Sequence, residues 1–392
     1  MSVGVMPLVA SAGDAVTAQR AESLTHDLIS MLTRASPMIR ATPAPSSLTT
    51  AERGGGSVAR MLNVRYLLEG ELRPGGDMAI VSLRLINGAT SEQIWSETVS
   101  LKDADTPRGQ MRALRAAVGH LNRSLSDSEI RRVTGERGDV TAMDYVLRAM
   151  GISRTEPATL HRVHEQQRLY EEALRHDPNL VPALDGLAEA LVAELGLDSH
   201  ADRDRLVRRM DELTSRAVNL DLAGPLTWAI RAEVLMLKGQ WDASIEASAQ
   251  SIQLDPDSSS WISNQAWLLT LSGHPERALA LVDEATALSF AEFRTACHAH
   301  LLLGQYKQVI TTCERAKGRT AGDLWIDLWL AAAYAYDGDT AKAAAAKADV
   351  LREIPDLTIA GIKAKGFSVN PDYLRQAEEH WYSGLRKAGF PE

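Results

Sequence analysis

The sequence predicts a mixed α/β domain followed by an all-α superhelix of paired helices. Two observations carry this. Across residues 1–125, short apolar runs bounded by Gly, Pro and Asn turns alternate with stretches whose apolar residues have helical spacing. From Ala142 onward every strong signal is helical, and Gly239, Gly273, Gly304 and Gly338 punctuate it 34, 31 and 34 residues apart. A helix pair joined by a short Gly turn cannot bury its apolar face alone, so successive pairs stack.

Val3–Ala10 reads as a buried first strand. Its Ala10-Ser11-Ala12 looks like a signal-peptidase site, but no basic residue precedes the short apolar stretch, which favours the strand. Ala15–Arg34 carries Leu24, Leu28, Ile29 and Leu32 on one helical face, and Met38–Thr42 is a second, short strand. After a loop bracketed by Thr42–Ser47 and Gly54-Gly55-Gly56, Ser57 caps a short helix reaching Leu62. Three strands follow: Arg65–Leu72, Met78–Ile86 and Gln93–Leu101. They are joined by the hairpin turns Arg73-Pro74-Gly75-Gly76-Asp77 and Asn87-Gly88-Ala89-Thr90. Met111–Leu125 closes the unit as a helix, giving a sheet of about five strands covered by helices.

Ser126–Val140 is polar and lacks an apolar period, so it reads as a linker, setting the domains at 1–125 and 141–392 with 126–140 between them. The helices then pair. Ala142–Arg154 goes with Leu160–Arg175, Val181–Leu195 with Arg203–Asn219, and Leu226–Lys238 with Trp241–Gln253. Trp261–Ser272 goes with Pro275–Leu288, Phe293–Leu303 with Tyr306–Arg315, and Trp325–Asp337 with Thr340–Arg352. Pro178, Pro256 and Pro355 follow helix ends because proline cannot continue a helix. Pro371–Ala388 is a single helix, expected to cap the exposed end of the array. Paired helices at a period of ~34 residues are the tetratricopeptide (TPR) pattern, which argues for a binding protein before an enzyme.

Composition narrows the function classes. The 392 residues carry 42 Lys+Arg against 51 Asp+Glu, a net charge of −9. Residues 1–128 are close to neutral, so the acidity lies in the repeats, which argues against nucleic acid as a partner. Cys297 and Cys313, 16 apart, match no metal motif and read as small core residues. No apolar run approaches the ~20 residues of a membrane span, and a cytoplasmic protein is expected.

The chain resembles a known bacterial arrangement. Val3-Gly4-Val5-Met6-Pro7-Leu8, the run Leu62-Asn63-Val64-Arg65-Tyr66-Leu67-Leu68-Glu69-Gly70-Glu71-Leu72-Arg73, and Ile94-Trp95-Ser96-Glu97 resemble the TolB amino-terminal-like α/β domain. In that family the glycine-flanked strand and the later tryptophan strand recur together. The ending Tyr382–Glu392 resembles that of proteins joining this domain to TPR repeats. Such halves usually sit carboxy-terminal to a class III adenylate or guanylate cyclase domain or a winged-helix regulator domain. The resemblance implies a control module, here a stand-alone paralogue or regulatory fragment. After Leu8 the family's acidic, aromatic run is replaced by Ser11–Arg20.

Residues that could carry chemistry form no complete motif. His161 and His164 share a helix face but match no zinc-protease motif, and His298 and His300 lie on different faces. Gly54-Gly55-Gly56-Ser57 lacks the Lys-Ser/Thr of a phosphate loop. No nucleophile–base pair, cofactor motif or metal set emerges, so no enzyme and no cofactor are expected. In the repeats, the first helix of each pair should line the concave face, putting Glu233, Asn264, Trp267, Arg294, His298, Trp325 and Trp329 on or near it. Arg can grip a carboxylate through its fork and Trp offers broad apolar contact. Trp228, Trp241 and Trp261 read instead as packing between repeats. The sequence therefore predicts a regulatory or scaffold protein that binds a protein or peptide in this groove. The rival reading is a sensory module for a cyclase or transcriptional regulator, and association with a second copy of the chain stays open.

Overall fold

A computed structural model describes residues 1–11, 15–36, 38–45, 55–75, 77–102, 107–135, 140–198, 200–256, 258–283, 290–317, 323–364 and 367–392. The chain divides into two compact units, Met1–Gly224 and Pro225–Glu392. It is mostly helical, with one small sheet near the amino terminus.

The first unit opens with β1 (Ser2–Val5), β2 (Val9–Ala10), α1 (Ala15–Ala35), β3 (Arg40–Pro43) and α2 (Gly55–Met61). It continues with β4 (Tyr66–Pro74), β5 (Met78–Asn87), β6 (Gln93–Lys102) and α3 (Pro107–Gly135). The sheet runs β3-β1-β4-β5-β6, with β2 also paired to β4. β1 is parallel to β3 and β4, whereas β4, β5 and β6 form antiparallel hairpins. The expected single strand over Val3–Ala10 is two short ones, because Pro7 between them has no N–H to give a ladder. One sheet face buries Val3, Val5, Val81, Leu83 and Leu85 with Leu28 and Leu32 of α1 and Leu121 and Leu125 of α3. Leu67 points the other way between Tyr66 and Leu68 and packs with Met6 and with Val58 of α2.

The linker expected over Ser126–Val140 is corrected over its first ten residues. Helix α3 runs on to Gly135, and Ser126, Glu129 and Val133 in that extension are buried. Residues 136–139 lie outside the described residues. The carboxylate of Glu129 explains the continuation. It accepts hydrogen bonds from Arg65 Nη1 (2.7 and 2.8 Å), from Tyr66 OH (2.8 Å) and from Arg132 (3.0 Å), and Arg132 also reaches Asp144 at 2.7 Å. Polar residues that look like a linker are a buried network fixing α3 to the sheet and to the next helix. That helix is α4 (Ala142–Thr155), followed by α5 (Leu160–His176), α6 (Val181–Leu197) and α7 (Arg203–Leu220), two helix pairs within the first unit.

The second unit holds four further pairs: α8 (Pro225–Leu237) with α9 (Trp241–Leu254), α10 (Ser259–Leu271) with α11 (Pro275–Asp283), α12 (Phe290–Leu302) with α13 (Tyr306–Lys317), and α14 (Leu324–Asp337) with α15 (Thr340–Glu353). Residues 284–288, expected to extend α11, lie outside the described residues. Gly239, Gly273, Gly304 and Gly338 each sit between the helices of a pair with positive φ, 66° to 85°. That left-handed backbone lets one helix stop and the next start after only two or three residues. These turns and this period are the ones expected of paired, stacked helices. Cys297 and Cys313 are fully buried, as expected of core residues, and are paired with each other across α12 and α13.

A short helix, α16 (Ile359–Ala364), precedes the carboxy-terminal helix. The latter is continuous from α17 (Pro371–Gln376) through a π-helical turn (Ala377–Tyr382) into α18 (Ser383–Lys387). It does not cap the end of the array as expected. It lies against α12 and α14, with its start at the turn between α10 and α11.

Candidate partner-binding groove

The residues expected in the groove do fall on first helices. Glu233 is on α8, Asn264 and Trp267 on α10, Arg294 and His298 on α12, and Trp325 and Trp329 on α14. The structure joins them into one strip. Asn264 Nδ2 donates to Glu233 Oε1 at 3.0 Å, and the Arg294 guanidinium stands over the Trp267 ring at 5.5 Å. The Trp267 ring is 5.7 Å from that of His298, which in turn stacks on Trp329 at 4.7 Å. Arg294 Nε also faces Asp323 Oδ2 at 3.7 Å.

Half of this strip is closed. His298 and Trp329 have no exposed surface, so the expectation that they meet a partner directly is corrected. What covers them is the chain's own carboxy-terminal segment. Phe367 packs on Trp267, Trp325 and His298, with centroids 5.3, 4.5 and 5.5 Å apart. Tyr373 and Trp381 approach the edge of the His298 ring at 5.7 and 5.5 Å, and Trp381 also meets Trp325 and Trp329. Periodicity marks which face an aromatic occupies, but no local signal says that a segment 70 residues later returns to fill it. Glu233, Asn264, Trp267 and Arg294 stay partly exposed.

The electrostatics follow the burial. Removal from water lowers the His298 imidazole to about 3, with the nearby Arg294 cation adding to the effect, so the ring is neutral. Burial likewise raises the Glu233 carboxyl, against the smaller opposite pull of the Asn264 hydrogen bond. Several buried polar atoms in the strip have no hydrogen-bond partner among the described residues: Asn264 Oδ1, Arg294 Nε, His298 Nδ1 and Trp329 Nε1. A fully apolar or fully satisfied surface would be the more stable solution. His161 and His164 are exposed, and among the described residues no cluster of His, Cys, Asp or Glu is arranged to hold a metal ion.

No family model matches this chain. A protein of Rhizobium meliloti (strain 1021) described as "Putative adenylate cyclase 3" is 26% identical over 232 residues, covering 57% of this chain and 38% of that protein. The chain thus spans well under half the length of that relative. Among solved structures, a thermophilic TPR protein of Thermus thermophilus aligns over 49% of this chain and 98% of its own, with 17% identity and a TM-score of 0.41. PilF of Pseudomonas aeruginosa aligns over 61% and 97%, with 13% identity and a TM-score of 0.44. Among the described residues no helix is long and apolar enough to cross a membrane.

Proposed function

We propose that this chain is a non-enzymatic regulatory or scaffold protein that recognises a protein segment through its helical repeats. One observation carries the reading: Glu233, Asn264, Trp267 and Arg294 form a partly exposed strip pairing a large apolar plate with a cation and an amide. An extended segment with an acidic side chain or a terminal carboxylate matches it, because Arg forms charge-assisted hydrogen bonds and the Trp ring accepts apolar contact. Losing one such contact typically costs about 1.5–3 kcal/mol, a weakening of roughly ten- to a hundred-fold. The test uses a partner captured by pull-down with the full chain. Arg294→Ala combined with Asn264→Ala should weaken it by at least about tenfold while the helical circular dichroism is unchanged; normal binding by the double variant would reject the strip.

A second reading is favoured by the similarity to a protein described as an adenylate cyclase, which spans 57% of this chain, and by the resemblance of residues 1–125 to the TolB amino-terminal-like domain. In it, the chain is a control module for a nucleotide cyclase or a transcriptional regulator. Purified chain should then form no cyclic nucleotide from ATP or GTP alone, yet change the rate of a cyclase domain supplied with it. Turnover by the chain itself would overturn both readings.

A further inference from the structure

We infer that residues 367–392 are a releasable latch: they fill the groove over α10, α12 and α14, and an outside helix reaches that part of the groove only when they leave. The inference rests on the reading of the repeats as a partner-binding surface and adds to it a second, covered part of the groove.

The latch has the form of a bound ligand. Its buried row is Tyr373, Ala377, Trp381 and Leu385, one residue in every four. On a straight α-helix such a row drifts about 40° around the axis at each step. The π turn over Ala377–Tyr382 widens the local repeat and holds the row against the groove. Contact is close enough that a Cβ on Gly384 would stand 2.7 Å from the Cβ of Ala332 on α14. Polar bonds to the repeats are spread along the latch, among them Tyr306 OH with His380 Nδ1 (3.0 Å), Tyr373 OH with His298 Nε2 (3.4 Å) and Lys347 Nζ with the Gly389 carbonyl. Ser368 Oγ donates to the Leu271 carbonyl (2.6 Å), Gln376 Nε2 to the Gly273 carbonyl (3.3 Å), and Tyr336 OH to the Glu379 carbonyl (2.9 Å).

Two observations argue for release rather than permanent closure. First, unpartnered buried polar atoms line both sides of this contact: Trp381 Nε1 and Gln376 Oε1 on the latch, and His298 Nδ1, Trp329 Nε1 and Ser272 Oγ in the groove. A surface meant only to be core would have apolar atoms there. Second, several of the latch's fastenings lie within it or join it to α16. Glu378 pairs with Lys363 (2.6 Å) and Arg386 (2.8 Å), Arg386 pairs with Glu392 (2.7 Å), and Ile359 N donates to the Pro391 carbonyl at 2.8 Å. None of these involves α10, α12 or α14: the Glu378–Arg386 and Arg386–Glu392 pairs lie within the segment and hold its shape when it departs, whereas Lys363 and Ile359 tie it to α16, outside the groove. The occupant that replaces it is an amphipathic helix with aromatic or large apolar residues every fourth position.

The test uses full-length chain and a labelled synthetic peptide of residues 367–392 as probe. In native-state hydrogen exchange, the amides of 371–387 should exchange at least about tenfold faster than those of α12 and α14. Gly384→Ala, which wedges the latch against Ala332, should widen that gap and let the chain take up the peptide, whereas the unaltered chain takes up little. Should Gly384→Ala fail to fold, the combination of Ser368→Ala and Gln376→Ala removes two anchors without touching the aromatic contact and should act in the same direction. Exchange of the latch at the same rate as α12 and α14, or peptide uptake by neither variant, would overturn the inference. Failure of the Arg294 and Asn264 variant to affect a captured partner would count against the strip alone.

Discussion

His298 lies flat against Trp329, ring centroids 4.7 Å apart and planes 13° from parallel, with no surface open to water. The imidazole is used here as an aromatic plate. Its only polar contact among the described residues is between Nε2 and the Tyr373 hydroxyl at 3.4 Å. Protonating it would place a cation among aromatic rings with Arg294 nearby, which is why its value falls from 6.5 to about 3.

Stability of the chain should therefore depend on pH through His298. Folded, it binds fewer protons than unfolded between pH 6.5 and about 3. Its contribution is full above pH 6.5 and declines as the pH falls through that window, by on the order of 2 kcal/mol at pH 5. Glu233, whose carboxyl is raised, acts in the opposite sense, its stabilising share being lost as pH rises. A comparison isolates the histidine: urea unfolding at about pH 7.5 and 5 for the unaltered chain and for His298→Phe, which should show a smaller difference. Equal differences would mean that His298 is not held neutral.

Glu129 sets a second dependence, in the first unit. Burial pushes its carboxyl up, but hydrogen bonds from Arg65, Tyr66 and Arg132 together outweigh that and leave it below 4.5. Its stabilisation is present above that value and is lost as the pH falls through the lower folded value. Glu129→Gln keeps the shape and removes the charge, so thermal unfolding should show a loss of about 1.5–3 kcal/mol near neutrality. The Tyr66 hydroxyl, raised to about 12 chiefly by burial, should titrate closer to its ordinary 10 in that variant. An unchanged melting temperature would show that α3 is held by its apolar face alone.

The helix pairs were legible because each leaves two local marks, an apolar row at helical spacing and a glycine at the turn. Glu129 and Arg132 were not legible: in sequence they are charged residues between helices, and only Arg65, 64 positions earlier, turns them into a buried network. The groove was half legible. Glu233, Asn264, Trp267 and Arg294 adjoin as the repeat register implies, whereas the burial of His298 and Trp329 depends on Phe367, Tyr373 and Trp381 from far along the chain.

Gly70, inside β4, is explained by packing. A Cβ there would lie 2.4 Å from Leu8 Cδ2, 2.8 Å from Leu83 Cδ2 and 3.0 Å from the Ser82 carbonyl oxygen. Gly70→Ala should cost about 1–3 kcal/mol, read in a chemical melt of the full chain. A variant as stable as the parent would mean that Leu8 moves aside freely and that glycine is dispensable in that strand.

The repeat glycines separate turn strain from contact with the carboxy-terminal segment. Gly338 has φ 85° and open space around its would-be Cβ, so Gly338→Ala should carry only the left-handed backbone cost, about 1–2 kcal/mol. Gly273 has φ 79°, but a Cβ there would also meet Asp372 Cβ at 2.7 Å and Tyr373 N at 3.2 Å, both in the first turn of α17. Backbone strain being equal, any excess cost of Gly273→Ala over Gly338→Ala measures how firmly α17 is pressed onto the α10–α11 turn. We expect that excess to appear as faster amide exchange in 371–387, with the protection of α12 unchanged. If the two variants lose equal stability and neither alters that exchange, the segment yields at Asp372 without loosening, and its hold on the groove lies further along, at Trp381 and Gly384.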